Sequence, residues 1–442
     1  MGVLTQIFGL ILSLSILVIL HELGHFTLAK LFKVRVEKFY LFFDPWFSIF
    51  KIKRGDTEYG IGWLPLGGYV KISGMIDESM DKEQLKQEPQ PWEFRFKPAW
   101  QRFLIMIGGV VVNFILALFI YSMILYAWGK DYLPVNNIKY GLHFHEVAIK
   151  AGFQNGDNIL KIDNNVIDNI DDISGYIIKG KIKEVTVDRK GQNVNITLPA
   201  DFTEQLIKAK IQKIVIDPQF PFIIEKVMDG NPAAKAGLIH GDRIVAINNI
   251  QTPYWQDFTE KVDSFKGKEV EITYLRNGIE QKHKLTLTED AKIGVQPVNP
   301  TKLLEFKKKE YGLLSAIPAG IGLGVETLTK YVTGLKYLFT KAGAKQVGGF
   351  GAIGGLFPTS WDWESFWSLT ALLSVVLAFM NILPIPALDG GHALFLTYEI
   401  ITGRKPSDKF MEYAQITGMV ILFSLLLFAN GNDLYKWLSK YF

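Results

Sequence analysis

Cysteine does not occur anywhere in the 442 residues. That absence excludes disulfides, a thiol nucleophile and every thiolate metal site. Histidine is scarce, at seven, so a metal would rest on a few imidazoles helped by Asp or Glu. Charge is thin as well. Asp, Glu, Lys and Arg make up 21% of the chain, where soluble domains carry about 25%. The 48 basic residues nearly balance the 44 acidic ones, for a net charge of +4. A disordered polyelectrolyte is excluded, and nothing favours nucleic acid as a partner. What fills the space is apolar: hydrophobic residues reach 48% and mean hydropathy is +0.15. The length suits about three domains, and the composition points to a membrane.

Four apolar runs stand out. They are Gly2 to Leu20, trailing to Phe32; Phe103 to Trp128; Phe366 to Leu383; and Ile416 to Ala429, led in by Met411 to Ala414. The first three approach or exceed the length that spans a bilayer core, and the fourth is short but extendable at either end. The first run lacks a basic leader and a small-residue cleavage site, so it reads as a retained span. Lys30, Lys33, Arg35 and Lys38 follow span one, and Arg95, Lys97 and Arg102 precede span two. Arg404, Lys405 and Lys409 lie between spans three and four. The positive-inside rule puts these loops in the cytoplasm and the polar stretch from about Leu133 to Lys309 outside. Gly312 to Phe339 is moderately apolar but carries Glu326, Lys330 and Lys336. It reads as an amphipathic helix on the membrane surface or against the bundle, not as a fifth span.

The central stretch repeats itself. Ala151-Gly152-Phe153-Gln154-Asn155-Gly156-Asp157 and Ala236-Gly237-Leu238-Ile239-His240-Gly241-Asp242 match at identical offsets. Each runs on into an alternating strand, Ile159 to Asp163 and Ile244 to Asn248. This is a domain duplication. The shared pattern resembles PDZ domains, the second copy more cleanly than the first. A PDZ groove takes an extended peptide by adding a strand to a sheet edge, and Phe222 to Val227 is the candidate edge. The alternative is a pair of empty grooves acting as a size filter, because a fold alone does not establish binding.

His21-Glu22-Leu23-Gly24-His25 is an HExxH pattern. On a helix, residues i and i+4 share a face, so both imidazoles reach one metal, and Glu22 lies near enough to take a proton from a water on it. Ionisable residues ending a membrane run are costly unless functional. A catalytic zinc takes three protein ligands and keeps a fourth position open. The best third candidate is Asp389, in Asn381-Ile382-Leu383-Pro384-Ile385-Pro386-Ala387-Leu388-Asp389-Gly390-Gly391. There two prolines break the helix, and the following glycines are expected to let the backbone turn tightly. Irregular backbone at membrane depth is tolerated where it lines a wet cavity. Four spans put the ends of spans one and three on the same side. Gly109 and Asn113, at the start of span two, fall there too.

Taken in order, these motifs resemble the site-2 protease family of intramembrane zinc metalloproteases, in particular its regulator type with tandem PDZ domains. The resemblance implies His21, His25 and Asp389 as ligands of Zn2+ and Glu22 as the catalytic base. It implies that Asn113 and Asn381 position substrate or the oxyanion. It further implies a multi-pass enzyme of the inner membrane, with periplasmic PDZ domains and an active site near the cytoplasmic side. Its partners would be the bilayer and single-span membrane proteins already trimmed outside, such as anti-sigma factors, or remnant signal peptides. The expected fold is a multi-pass α-helical membrane protein of four spans, with a cytoplasmic-side β-hairpin and two inserted extracytoplasmic PDZ-like α+β domains. The expected segments are span one with HExxH (1–32), the hairpin loop (33–102), span two (103–130), the PDZ-like copies (133–210 and 211–300), the amphipathic helix and Gly-rich connector (301–362), span three with the Asp-Gly motif (363–395), and the last loop and span (396–442).

The chain departs from the family in two places. Gly108-Gly109-Val110 lacks the proline often found in span two. The loop from Val34 to Ile72 resembles the family's membrane-dipping hairpin, which pairs with an unwound substrate strand, but Phe42-Phe43-Asp44-Pro45-Trp46 is longer and more aromatic than usual. Other motifs carry less. Gly349 to Gly354 fits G-x-G-x-x-G but follows no strand, so it reads as a flexible or close-packed glycine turn. His143 and His145 read as exposed strand residues and His240 as a turn residue. His392, beside the Asp-Gly-Gly turn, is a possible orienting group. Two competing readings are a membrane-anchored PDZ scaffold and an ion-binding transporter. The full set of His21, Glu22, His25 and Asp389 argues against a decayed site. With no disulfide available, the central stretch must depend on core packing alone, and its melting temperature should be unchanged by reductant; a shift would contradict this reading.

Overall fold

The computed structural model describes residues 2–75, 88–170, 172–173, 182–202, 204–205, 215–335 and 347–438. The chain forms two compact units, Met1–Gly129 with Glu310–Phe442, and Lys130–Lys309.

The first unit is built on long apolar helices: α1 (Gly2–Leu31), α2 (Ala99–Trp128), α3 (Leu313–Gly334), the short α4 (Phe350–Gly354), α5 (Trp363–Ile382), α6 (Asp389–Thr402) and α7 (Asp408–Leu438). Among the described residues, α1, α2, α5 and α7 are long and apolar enough to cross a membrane. The short fourth run thus grows at both ends. α3 is not in that set and lies along α2. Its buried residues Ala316, Gly320 and Gly324 recur every four positions and form one stripe. A Cβ on Gly320 would stand 2.5 Å from the backbone of Ser122, and one on Gly324 would stand 2.5 Å from the Leu118 side chain. Small residues let the two backbones approach this closely. Of the two placements open for this segment, the helix takes the one against the bundle; Lys336 to Phe339 lie outside the described residues. The G-x-G-x-x-G stretch, expected as a glycine turn, forms the short helix α4 instead, with Gly349 at its N-terminal end. The Gly349 and Ala352 amides both donate to Asp433 of α7, at 2.9 Å each.

Between α1 and α2 run two long strands, β1 (Val36–Arg54) and β2 (Thr57–Ile72). They fold back on themselves rather than forming a plain hairpin. Residues 38–41 pair with 68–71 on one side and with 58–61 on the other, while 48–54 pair with 57–62. The segment Gly68–Ile72 therefore sits at an edge, with no strand on its other side among the described residues.

The second unit holds two four-stranded antiparallel sheets of the same order. The first is β4-β3-β5-β6, from β3 (Asn158–Ile162), β4 (Asn165–Val166), β5 (Glu184–Arg189) and β6 (Gln192–Thr197). The second is β8-β7-β9-β10, from β7 (Arg243–Ile247), β8 (Ile250–Gln251), β9 (Glu269–Arg276) and β10 (Ile279–Thr286). Each sheet buries its apolar residues into one core, Ile159, Ile162, Val185 and Val187 in one and Ile244, Ile247, Val270 and Ile272 in the other, with a register shift in β3 and in β7 between the first two of each set. The repeated Gly-Asp has a structural reason. Asp157 and Asp242 are each buried, each caps the preceding turn through the amide of Gln154 or Ile239, and each binds an arginine twice. Arg189 donates to Asp157 at 2.8 Å through both Nε and Nη2, and Arg276 donates to Asp242 at 2.8 and 2.7 Å.

Two expectations fail here. Phe222–Val227 is not a free edge. Ile224–Val227 pairs with Val295–Pro297, and the other side of Phe222 and Ile224 is bonded to residues 241–244. Its apolar residues Phe222 and Ile224 are fully buried in the core of the second sheet. His143 is not exposed either, at 4%. It lies on a strand, Leu142–Phe144, that is buried along its length and pairs with Val215–Pro218.

Removing Asp242 takes away both the carboxylate that Arg276 binds and the cap on the Ile239 amide. Asp242→Ala should therefore speed amide hydrogen exchange in β7 and β9 while sparing β3 and β5. Unchanged exchange in β7 and β9 would show the pair to be unimportant.

Candidate metal centre

The centre begins with a close contact between α1 and α2. Gly24 and Gly108 face each other, and a Cβ on Gly24 would stand 2.4 Å from the Gly108 carbonyl oxygen. No larger residue fits, so the two glycines bring the HExxH face of α1 directly onto α2. His21 and His25 both point into that seam and are nearly buried. A Cβ on the neighbouring Gly109 would come within 2.4 Å of His25 Nε2 and 2.6 Å of His21 Cε1. Gly109 is thus the floor on which both rings lie.

α2 also orients the rings. His25 Nδ1 lies 2.8 Å from the Ile105 carbonyl oxygen, an acceptor only, so Nδ1 carries the proton and Nε2 presents its lone pair. His21 Nδ1 lies 3.2 Å from the Asn113 amide. The Asn113 side chain is fully buried and its Oδ1 has no hydrogen-bond partner. Turning that amide over sets Oδ1 on the His21 Nδ1 proton, which gives that oxygen its donor and frees Nε2. Ser374 of α5 donates to the Asn113 carbonyl at 2.7 Å, tying the third span to the same spot.

Asp389 arrives from the far end of the chain. α5 stops at Ile382, the chain breaks at Leu383–Leu388, and Asp389 opens α6. The two following glycines do not turn the backbone, as they already belong to α6. They admit a close approach instead. A Cβ on Gly390 would be 2.3 Å from the carbonyl oxygens of Ile382 and Leu383, and one on Gly391 would be 2.5 Å from that of Ile385. The left-handed turn falls on Ala387, at φ 78°. Asp389 Oδ2 then stands 3.2 Å from His21 Nε2 and 3.4 Å from His25 Nε2, and the two Nε2 atoms are 3.3 Å apart. Ligands about 2.0–2.1 Å from a tetrahedral zinc stand roughly 3.3 Å from one another. The donor triangle therefore fits a zinc ion with one vertex left open. Among the described residues this is the one cluster of three or more such donors.

Glu22 lies beside the triangle in a cavity of about 930 Å3, shared with His21, His25, Asn381, Asp389 and the Gly67–Ile72 edge of β2. Asn381 Nδ2 approaches His21 Nε2 at 3.4 Å. Asn113 instead sits behind His21, against its Nδ1. His392 lines a separate cavity of about 200 Å3 with Arg102 and Glu399. The Ile105 carbonyl and the paired arginines of the second unit escape a sequence reading. The carbonyl leaves no signal, but Arg189-Lys190-Gly191 and Arg276-Asn277-Gly278 repeat at nearly the same distance after each Gly-Asp.

Gly109→Ala should push both imidazoles off their positions and weaken zinc binding by about 10–100-fold, the usual cost of disturbing the groups behind metal ligands. Gly322→Ala, which meets nothing within 4 Å, should leave it intact. Equal zinc content in all three proteins would refute the packing argument.

Residues 9–425 match Peptidase family M50. The chain is 30% identical to the regulator of sigma E protease of Haemophilus influenzae, over 98% of this chain and 99% of that one. It is 28% identical to a Neisseria meningitidis protein named "Putative zinc metalloprotease NMA0084", over 97% and 98%. It is 28% identical to the metalloprotease MmpA of Caulobacter vibrioides, over 99% and 97%. The chain therefore belongs to peptidase family M50, the site-2 proteases, and is a membrane zinc metalloprotease.

Proposed function

We propose that this enzyme cuts membrane-spanning segments of proteins whose outer domains have already been shortened, anti-sigma factors or remnant signal peptides among them. The observation that carries this reading is the cavity itself. It joins the three donor atoms, Glu22 and a strand segment at the edge of its sheet among the described residues within one space.

His21, His25 and Asp389 would hold the zinc, which when bound would supply the acidity of a water and the polarisation of a peptide carbonyl. Glu22 takes the proton from the attacking water and passes it to the leaving amine. Asn381, at the rim of the donor triangle, steadies the carbonyl oxygen of the scissile bond, while Asn113 holds His21. A helix hides its carbonyls in internal bonds, so the substrate must unwind before it can be cut. The Gly68–Ile72 edge offers backbone partners to the unwound segment, as strand addition does elsewhere. Gly67 and Gly68 suit close approach of another backbone.

The four spans anchor the enzyme in the inner membrane, with the centre near the cytoplasmic side, where the basic loops lie. The second unit is a tandem of PDZ-like domains outside. It excludes large intact ectodomains or reads a freed C-terminus. The Phe222–Val227 strand is paired with Val295–Pro297 on one side, and Phe222 and Ile224 are bonded to residues 241–244 on the other, which favours exclusion over peptide binding there.

Glu22→Gln should keep zinc and lose cleavage of a short-ectodomain, single-span test segment by about 10²–10⁴-fold. Cleavage at the wild-type rate would remove Glu22 from the mechanism.

A further inference from the structure

β1 departs from a regular strand beside the catalytic cavity. Phe43 pairs with Leu64 and Ser48 with Gly62, so residues 44–47 bulge out opposite Trp63 alone. Phe42 just before the bulge and Trp46 within it have left-handed backbone, at φ 67° and 76°. Aromatic residues seldom adopt that conformation, and a site that imposes it is over-determined by its surroundings. Here the surroundings are specific. Trp63 Nε1 donates to the Pro45 carbonyl at 2.8 Å. The Tyr69 hydroxyl donates to Asp44 Oδ1 at 2.8 Å, and the Ser48 hydroxyl donates to Oδ2 at 3.1 Å. Tyr69 is itself held in a stack between Tyr40 and Phe43. Burial, and then the Asp44 carboxylate, raise the pKa of the Tyr69 hydroxyl, so it stays a neutral donor.

Asp44 thus lies on the wall of the cavity that holds His21, Glu22, His25 and Asp389. Its two donors are uncharged, and among the described residues it makes no ion pair. A carboxylate has about four acceptor positions, so two remain open after these bonds. The cavity's cations are engaged elsewhere: Lys71 pairs with Glu37 at 3.3 Å, and the Lys38 ammonium lies 5.4 Å over the Tyr40 ring. A carboxylate placed in this way favours a cationic side chain and repels an anionic one, and repulsion of the wrong partner is half of specificity.

We propose that Asp44 is a specificity determinant of this protease, selecting substrate segments with Lys or Arg close to the scissile bond and rejecting those with Asp or Glu there. The proposal rests on the reading of this cavity as the proteolytic site. A cavity of this size spans on the order of 10 Å, or about three residues of extended chain at ~3.3 Å each, so the selected position lies within about three residues of the cut.

The test uses the zinc-loaded full chain in detergent and a set of single-span segments. Lys, Gln or Glu is placed in turn at each position within four residues of the cut. The readout is the ratio of kcat/KM values within each enzyme, so a general loss of rate does not enter. In wild type, one or two positions should show Lys favoured over Glu by about tenfold or more. The ratio should fall towards one in Asp44→Asn, which keeps an acceptor for Tyr69, and invert in Asp44→Lys. Asp44→Glu should keep the sign of the preference. A ratio equal in wild type and Asp44→Asn, or no preference in wild type, overturns the proposal while leaving the protease reading standing. Zinc-loaded wild type that cuts no segment overturns both.

Discussion

Everything at the centre depends on how closely α1 and α2 approach. Gly24 against Gly108 brings two helix backbones into contact, and only then do the Ile105 carbonyl and the Asn113 amide reach the Nδ1 atoms of His25 and His21. Those two contacts turn the Nε2 lone pairs toward one point. Without them the imidazoles would be free rotors in a weakly polar seam, and the third donor would meet no preformed pair. Lipid supplies no hydrophobic force between helices, so such an approach must come from small residues and buried polar contacts. This seam has both, and the α2–α3 seam at Gly320 and Gly324 uses the small residues again.

The second requirement is to bring a carboxylate from residue 389 to helix one. Breaking the helix after Ile382 does this, because α6 then starts beside His21 and His25. Gly390 and Gly391 let the connector fold back on the first turn of α6. Hydrolysis in a membrane also needs an unwound substrate and room for water. The same cavity supplies a strand edge and space, so the hairpin belongs to the site as much as the ligands do. Asp44 extends that argument from where the chain is cut to which chain is chosen.

Much of this was legible in the sequence. The HExxH spacing on one helix face placed His21 and His25 together, and the broken helix before Asp389 marked the third donor. The four spans followed from hydropathy, and the duplicated Gly-Asp from plain comparison. What stayed hidden depends on distances between segments far apart in the chain. Asn113 is a polar residue in an apolar run, but its contact with His21 needs the Gly24–Gly108 approach. The Phe222–Val227 strand was visible, whereas its cover, Val295–Pro297, comes some seventy residues later. The bulge at 44–47 escaped because Phe42 and Trp46 give no sign of left-handed backbone. The glycines after Asp389 were read for turning when their use is close approach. His143 sat in a pattern that suits an exposed strand as well as a buried one.

The central claim is that one zinc is held by His21, His25 and Asp389, with the fourth position open. X-ray absorption at the zinc edge, on the purified full chain, tests it most directly. The account predicts a four-coordinate ion with two imidazoles and oxygen donors at about 2.0–2.1 Å, and the loss of one oxygen donor or of the metal in Asp389→Ala. A six-coordinate oxygen shell, or a spectrum identical in wild type and Asp389→Ala, would contradict it.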